Sequence, residues 1–179
     1  MYLFLRELDD FPAEVDVNVG KGEVEPFYDG VLSVDWITVH LEIQHASQEY
    51  FCQGQVSAGV KLECVRCLAE FDDELSGPTD FVICESEIEV IDGRVIDDEE
   101  YLYCEGNDLR VNIWEPVRQA LVLAMSLKPV CSEDCKGLCA SCGTNLNLQT
   151  CTCRTEEMDP RWEGLKKLLP SDEDSSQKE

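Results

Sequence analysis

The sequence predicts an α+β fold: a mostly antiparallel, β-rich N-terminal part ending in a helix, then a small cysteine-rich module. Three observations lead there. Segments with two-residue alternation of apolar and polar side chains fill the N-terminal part. Helical spacing of apolar residues occurs in only two places. Six of the eleven cysteines lie in "CSEDCKGLCASCGTNLNLQTCTC", residues 131–153. The expected organisation is a β-rich domain over 1–127, a cysteine-rich module with its own helix over 128–169, and a disordered acidic tail over 170–179.

The elements run in order along the chain. "YLFLREL" reads as an edge strand. In "VLSVDWITVHLEIQHA", Ile37, Val39, Leu41 and Ile43 fall on one face, with Thr38, His40, Glu42 and Gln44 on the other. "EYFCQGQVSAGVKLEC" and "LAEFDDEL" flank a tight cysteine turn and read as a hairpin. "TDFVICESEIEVI" and "EEYLYCEG" are further strand candidates, with Gly20, Gly22, Gly30, Gly77–Pro78 and Gly93 as punctuation. A helix is expected to start near Asn112 as N-cap, with Glu115 as capping-box partner and Pro116 in the first turn. Its apolar face is Val117, Ala120, Leu121, Ala124 and Met125, and it ends before Pro129. "DPRWEGLKKLL" predicts a second helix, capped by Asp159, with Pro160 at the first helical position. Its stripe of Trp162, Leu165, Leu168 and Leu169 is expected to dock on the domain, because a short helix needs tertiary packing to persist.

The net charge is −24, almost all of it before Pro129. Such a surface repels phosphate backbones and favours a basic protein partner. The plain alternative is that acidity keeps the chain soluble. No apolar run approaches the roughly 18 residues of a membrane span, and the acidic start does not read as a signal peptide. The expected location is the cytoplasm or a similar reducing compartment.

That compartment argues against a disulfide framework and for metal binding by paired cysteines. Four close pairs exist: Cys64/Cys67, Cys131/Cys135, Cys139/Cys142 and Cys151/Cys153. Eight thiols make two tetrahedral sites of four thiolates, the donor set Zn²⁺ favours. The eight residues between Cys142 and Cys151 allow one site to close locally. Cys64/Cys67 then pairs with Cys131/Cys135, tying the hairpin to the helix exit across a long loop. A competing arrangement places one zinc on Cys131, Cys135, Cys139 and Cys142 and leaves Cys64/Cys67 as a redox pair. An iron–sulfur cluster takes the same donors. Cys52, Cys84 and Cys104 read as buried, small apolar residues.

Nucleotide-binding glycine motifs, H-E-x-x-H and G-x-S-x-G are all missing from the sequence. His40 and His45 read as surface or edge residues. The chain is therefore expected to be no enzyme and to take no small-molecule substrate.

"LECVRCLAEF", the helix running into "LKPVCSEDCKGLCASCGTNLN", and then "CTC" and "DPRWEGLKKL" together resemble the YceD family of large ribosomal RNA subunit accumulation proteins. The resemblance is strongest over 62–71 and 112–169. It implies a bacterial or plastid factor needed for normal accumulation of large-subunit rRNA. It also favours pairing Cys64/Cys67 with Cys131/Cys135. The implied partner is a large-subunit precursor, contacted through a basic ribosomal protein or through rRNA. Lys128, Lys136, Arg154, Arg161, Lys166 and Lys167 are the side chains best placed to touch RNA. The competing class is a zinc-dependent adaptor for a basic protein outside ribosome assembly.

Overall fold

The computed structural model describes residues 1–8, 10–85, 101–104, 109–153 and 161. The second expected helix and the acidic tail lie outside these, apart from Arg161. The described elements are β1 (Tyr2–Phe4), a 3-10 turn (Leu5–Glu7), β2 (Ala13–Val19), β3 (Val31–Ala46), β4 (Glu49–Glu63), β5 (Glu70–Cys84), β6 (Tyr101–Tyr103), β7 (Arg110–Asn112) and α1 (Trp114–Ala124). Strands β2 to β6 form one sheet in chain order. It is antiparallel except for β6, which runs parallel to β5; β1 and β7 form a separate two-stranded ribbon.

The long strands form for the reason their alternation gives. Ile37, Val39, Leu41 and Ile43 of β3 are all essentially inaccessible, and Val56, Ala58, Val60 and Leu62 of β4 continue the same buried face. Registers such as Val39↔Val56 and Ile37↔Ala58 set these side chains opposite one another. Slipping by one residue would turn the whole apolar set to water, so the pattern fixes the pairing. Helix α1 packs across this face against β5 and β4, burying Val117, Ala120 and Leu121. Each large side chain buried this way contributes about 2 kcal/mol.

Several expectations need correction. Gly77–Pro78 does not end a strand: both residues lie inside β5, opposite Val56 and Gln55. Pro78 is tolerated because β6 pairs with Val82, Ile83 and Cys84, and among the described residues this leaves the Pro78 stretch at the sheet's edge. Gly77 is where α1 crosses. A Cβ there would stand 3.2 Å from the Ala120 carbonyl oxygen and 3.3 Å from Ala124 Cβ. The strand expected from Tyr2 to Leu8 is shorter, because Leu5 turns into the 3-10 segment to reach the core. Strand β2 is not among the expected strands, although Ala13, Val15, Val17 and Val19 alternate there with Glu14, Asp16 and Asn18, and β7, at three residues, is too short to show a pattern.

The helix cap also moves. Ile113 is the N-cap, and its buried side chain offers no hydrogen bond. Asn112 ends β7 instead, and its Oδ1 accepts from the Trp114 N–H at 3.0 Å. Glu115 does not close a capping box; it pairs with the Arg118 guanidinium and accepts from Gln119 at 3.2 Å.

We predict that Gly77→Val lowers the unfolding free energy by about 2 kcal/mol through overpacking against α1. Gly77→Ala should cost less. A denaturant titration showing no change for Gly77→Val would contradict the close approach of helix and strand.

Candidate metal centres

Strands β4 and β5 are joined by "CVRCLA", and the turn's shape comes from its backbone bonds. The Cys64 N–H donates to the Ala69 carbonyl at 2.9 Å, and the Leu68 N–H donates to the Cys64 carbonyl at 2.9 Å. The same pair of bonds recurs downstream in "CASCGT". There the Cys139 N–H donates to Thr144 at 2.9 Å, and the Gly143 N–H donates to Cys139 at 2.8 Å. Both turns thus present a C-x2-C pair from one backbone geometry. Both need a left-handed residue just after the second cysteine: Gly143 has φ 71°, and Leu68 has φ 56°. Glycine occupies that conformation without strain, whereas leucine does so at a cost of about 1–2 kcal/mol.

The chain after α1 is brought onto the first turn by several bonds. The Val65 N–H donates to the Pro129 carbonyl at 3.0 Å, and the Leu138 N–H donates to the Arg66 carbonyl at 3.1 Å. The Arg66 guanidinium donates to the carbonyls of Glu133 at 3.2 Å and Cys135 at 3.1 Å. Sulfurs then meet across the gap. Cys64 Sγ lies 3.8 Å from Cys135 Sγ, and Cys67 Sγ lies 3.6 Å from Cys131 Sγ.

The structure therefore gathers the eight paired thiols into two groups: Cys64, Cys67, Cys131 and Cys135, and Cys139, Cys142, Cys151 and Cys153. Within each group all sulfurs lie within 4.8 Å of one another. The competing arrangement, with Cys131/Cys135 joined to Cys139/Cys142, is not the one adopted, because Val65 and Arg66 hold the 129–138 segment against the first turn. A tetrahedron with metal–sulfur bonds of about 2.3 Å has sulfur–sulfur edges of about 3.8 Å. The Cys64–Cys135 and Cys67–Cys131 separations match that edge and far exceed the ~2.05 Å of a disulfide. Each group can thus hold one tetrahedral ion with no open coordination position.

The electrostatics suit a cation. Burial pushes the Cys64 thiol up, but backbone N–H groups of Cys131, Arg66 and Cys67 outweigh it and bring the pKa down to about 6. Backbone N–H groups of Cys142 and Ser141, with the Cys151 and Cys142 thiols, bring Cys139 to about 6. Neighbouring sulfurs do the reverse elsewhere. Cys67, with burial, raises Cys131 to about 12, and Cys142 and Cys139 raise Cys153 to about 12. Four thiolates repel one another, and a divalent ion among them reverses that balance.

Two contributing residues were not found from sequence. Asn147 Nδ2 donates to Cys135 Sγ at 3.3 Å while its Oδ1 accepts from the Lys136 N–H at 2.8 Å. Arg66 braces the 131–135 loop through its two carbonyl bonds. Both act through contacts distant along the chain, which spacing rules do not reveal. The remaining cysteines sit away from the groups. Cys52 and Cys84 are buried in strands, Cys104 is half-buried, and burial pushes Cys52 up to about 12. His40 stays on the polar face, 2.8 Å from Asp16. His45 stacks on Tyr50 at the end of β3.

The family profile described as "Large ribosomal RNA subunit accumulation protein YceD" matches residues 52–169, which include both thiol groups. An uncharacterised protein of Mycobacterium tuberculosis is 29% identical over 146 residues, covering 78% of this chain and 65% of its own. One of Mycobacterium leprae is 25% identical over 142 residues, covering 78% and 63%. The chain thus spans slightly less than two thirds of these relatives. A chloroplastic protein of Zea mays named "Large ribosomal RNA subunit accumulation protein YCED homolog 1" is 38% identical over 60 residues, 33% of this chain and 20% of its own. No solved structure matches.

We predict that Leu68→Gly leaves the metal-loaded protein as stable or more stable by up to about 1 kcal/mol, because relief of left-handed strain exceeds glycine's entropic cost. Leu68→Val should lose about 1–2 kcal/mol, since a β-branched residue resists positive φ. Thermal unfolding that ranks the two variants in the opposite order would contradict the shared turn geometry.

Proposed function

This chain belongs to the YceD family, and from that membership we propose that it is a non-enzymatic, zinc-binding factor supporting large-subunit rRNA accumulation and ribosome biogenesis. The observation that carries the proposal is the coincidence of the family match, residues 52–169, with two closed four-thiol groups. In this reading each group holds one structural Zn²⁺, with Cys64, Cys67, Cys131 and Cys135 as ligands of one and Cys139, Cys142, Cys151 and Cys153 of the other. Four protein ligands leave no position for water or substrate, so the metals shape the protein and do no chemistry. The first site straddles the boundary proposed between a 1–127 domain and a 128–169 module.

The partner in this reading is a large-subunit precursor, met mainly through a basic ribosomal protein. A chain of net charge −24 is attracted to such a protein and repelled by exposed phosphate. No helix among the described residues is long and apolar enough to cross a membrane, and the reading places the protein in the cytoplasm or an equivalent reducing compartment.

Metal analysis of protein purified under reducing conditions is expected to find two zinc ions per chain; iron, or no metal, would contradict the zinc assignment. Cells lacking the protein should show a deficit of large-subunit relative to small-subunit rRNA, and the protein should co-sediment with large-subunit precursors. Normal rRNA ratios together with no co-sedimentation would favour the adaptor reading instead. Exchanging Lys136, Arg154 and Lys166 for Glu should leave co-sedimentation largely intact. If that variant, with zinc and fold unchanged, falls off the precursor, the main contact is rRNA.

A further inference from the structure

The end of α1 presents an apolar surface that the described residues leave exposed. Leu123 is 85% exposed and Leu127 is 99% exposed, with Tyr28 and Val65 about half exposed beside them. These four residues line one groove of about 560 Å³, between the turn before β3, the first cysteine turn and the chain leaving the helix. Contiguous exposed apolar surface of this kind marks interaction sites on soluble proteins. Asp29 and Glu63 also line the groove, and neither is paired with a cation among the described residues.

The groove depends on the first thiol group. Glu63 and Val65 flank Cys64, and the Val65 N–H bond to the Pro129 carbonyl fixes one wall against the other. Metal at Cys64, Cys67, Cys131 and Cys135 would therefore hold the groove in shape.

We infer that this groove docks an apolar-anchored, Lys/Arg-rich segment of a basic protein in the large-subunit precursor, an inference that rests on the assembly-factor reading above. The apolar walls accept anchoring side chains, as grooves that bind amphipathic helices do, and Asp29 and Glu63 complement cations flanking them. The same carboxylates disfavour RNA. A second copy of this acidic chain would bring acid against acid. The chain's own "RWEGLKKLL" carries similar chemistry and must be told apart by experiment.

The test uses the full-length, zinc-loaded protein with purified large-subunit precursor particles. Leu123→Glu and Leu127→Glu alter side chains that the core does not hold, so zinc content and unfolding temperature should stay as in wild type. Each should weaken co-sedimentation about thirtyfold, the loss of one central anchor. A photo-crosslinking residue replacing Leu127 should label a basic ribosomal protein. Wild-type affinity in both Glu variants would overturn the docking groove while leaving the assembly reading intact. So would a crosslink to rRNA, to residues 159–169 of the same chain or to a second copy, or no crosslink at all. A wild-type protein that does not sediment with the particles would overturn both.

Discussion

The rest of this structure depends on the junction between the Cys64–Cys67 turn and the chain leaving α1. The sheet supplies one half of the junction, at the tip where β4 turns into β5. The helix supplies the other by delivering Pro129, Cys131 and Cys135 to that tip. Cys67 and Cys131 are 64 residues apart in sequence, and their sulfurs lie 3.6 Å apart. A cross-link spanning such a loop removes unfolded-chain entropy worth on the order of 4 kcal/mol by the reckoning used for disulfides. If this group takes up a metal ion, binding of the ion and closure of the fold are one linked equilibrium. The second thiol group hangs from the first. Its leading cysteine comes directly after Leu138, which is bonded to Arg66, and so its position derives from the first turn.

The same junction explains why acidity and apolar exposure sit side by side. Carboxylates crowd the strands, where they stay in water and leave the buried face intact. At the exit of α1 the amphipathic pattern breaks down instead: Leu123 and Leu127 point away from the core. A helix only 11 residues long gives one face to the sheet, and the segment after it is steered by its bonds to the first cysteine turn rather than by burial. Apolar side chains in that stretch remain outside.

How much of this the sequence disclosed depends on the range of the forces involved. The alternation in β3 and β4 is local and unambiguous, and Ile37 to Ile43 lie where it puts them. The four cysteine pairs are visible as spacing. Which pairs meet is not decided by spacing, because it turns on backbone bonds from Val65 and Arg66 to a distant segment. The left-handed leucine at 68 was invisible for a related reason: the sequence signals that conformation only when glycine occupies it, as at Gly143. Pro78 misled because its tolerance depends on how far β6 extends along β5, which is a tertiary fact. The helix cap shifted by one residue because burying Ile113 outweighed the capping preference of Asn112. The three-residue strand β7 owes its existence to its partner β1 rather than to its own composition.

The most direct test of the central claim is hydrogen exchange on two variants, Cys67→Ser and Cys142→Ser, each prepared with zinc present. Two separate sites, the first joining sheet to helix exit, predict an asymmetric result. Cys67→Ser should lose protection both in the β4–β5 hairpin and from Pro129 to Leu138. Cys142→Ser should lose protection only beyond Cys139, with the sheet exchanging as in wild type. Equal loss of sheet protection in both variants would contradict the account, since it would mean that the two thiol groups form a single cooperative unit.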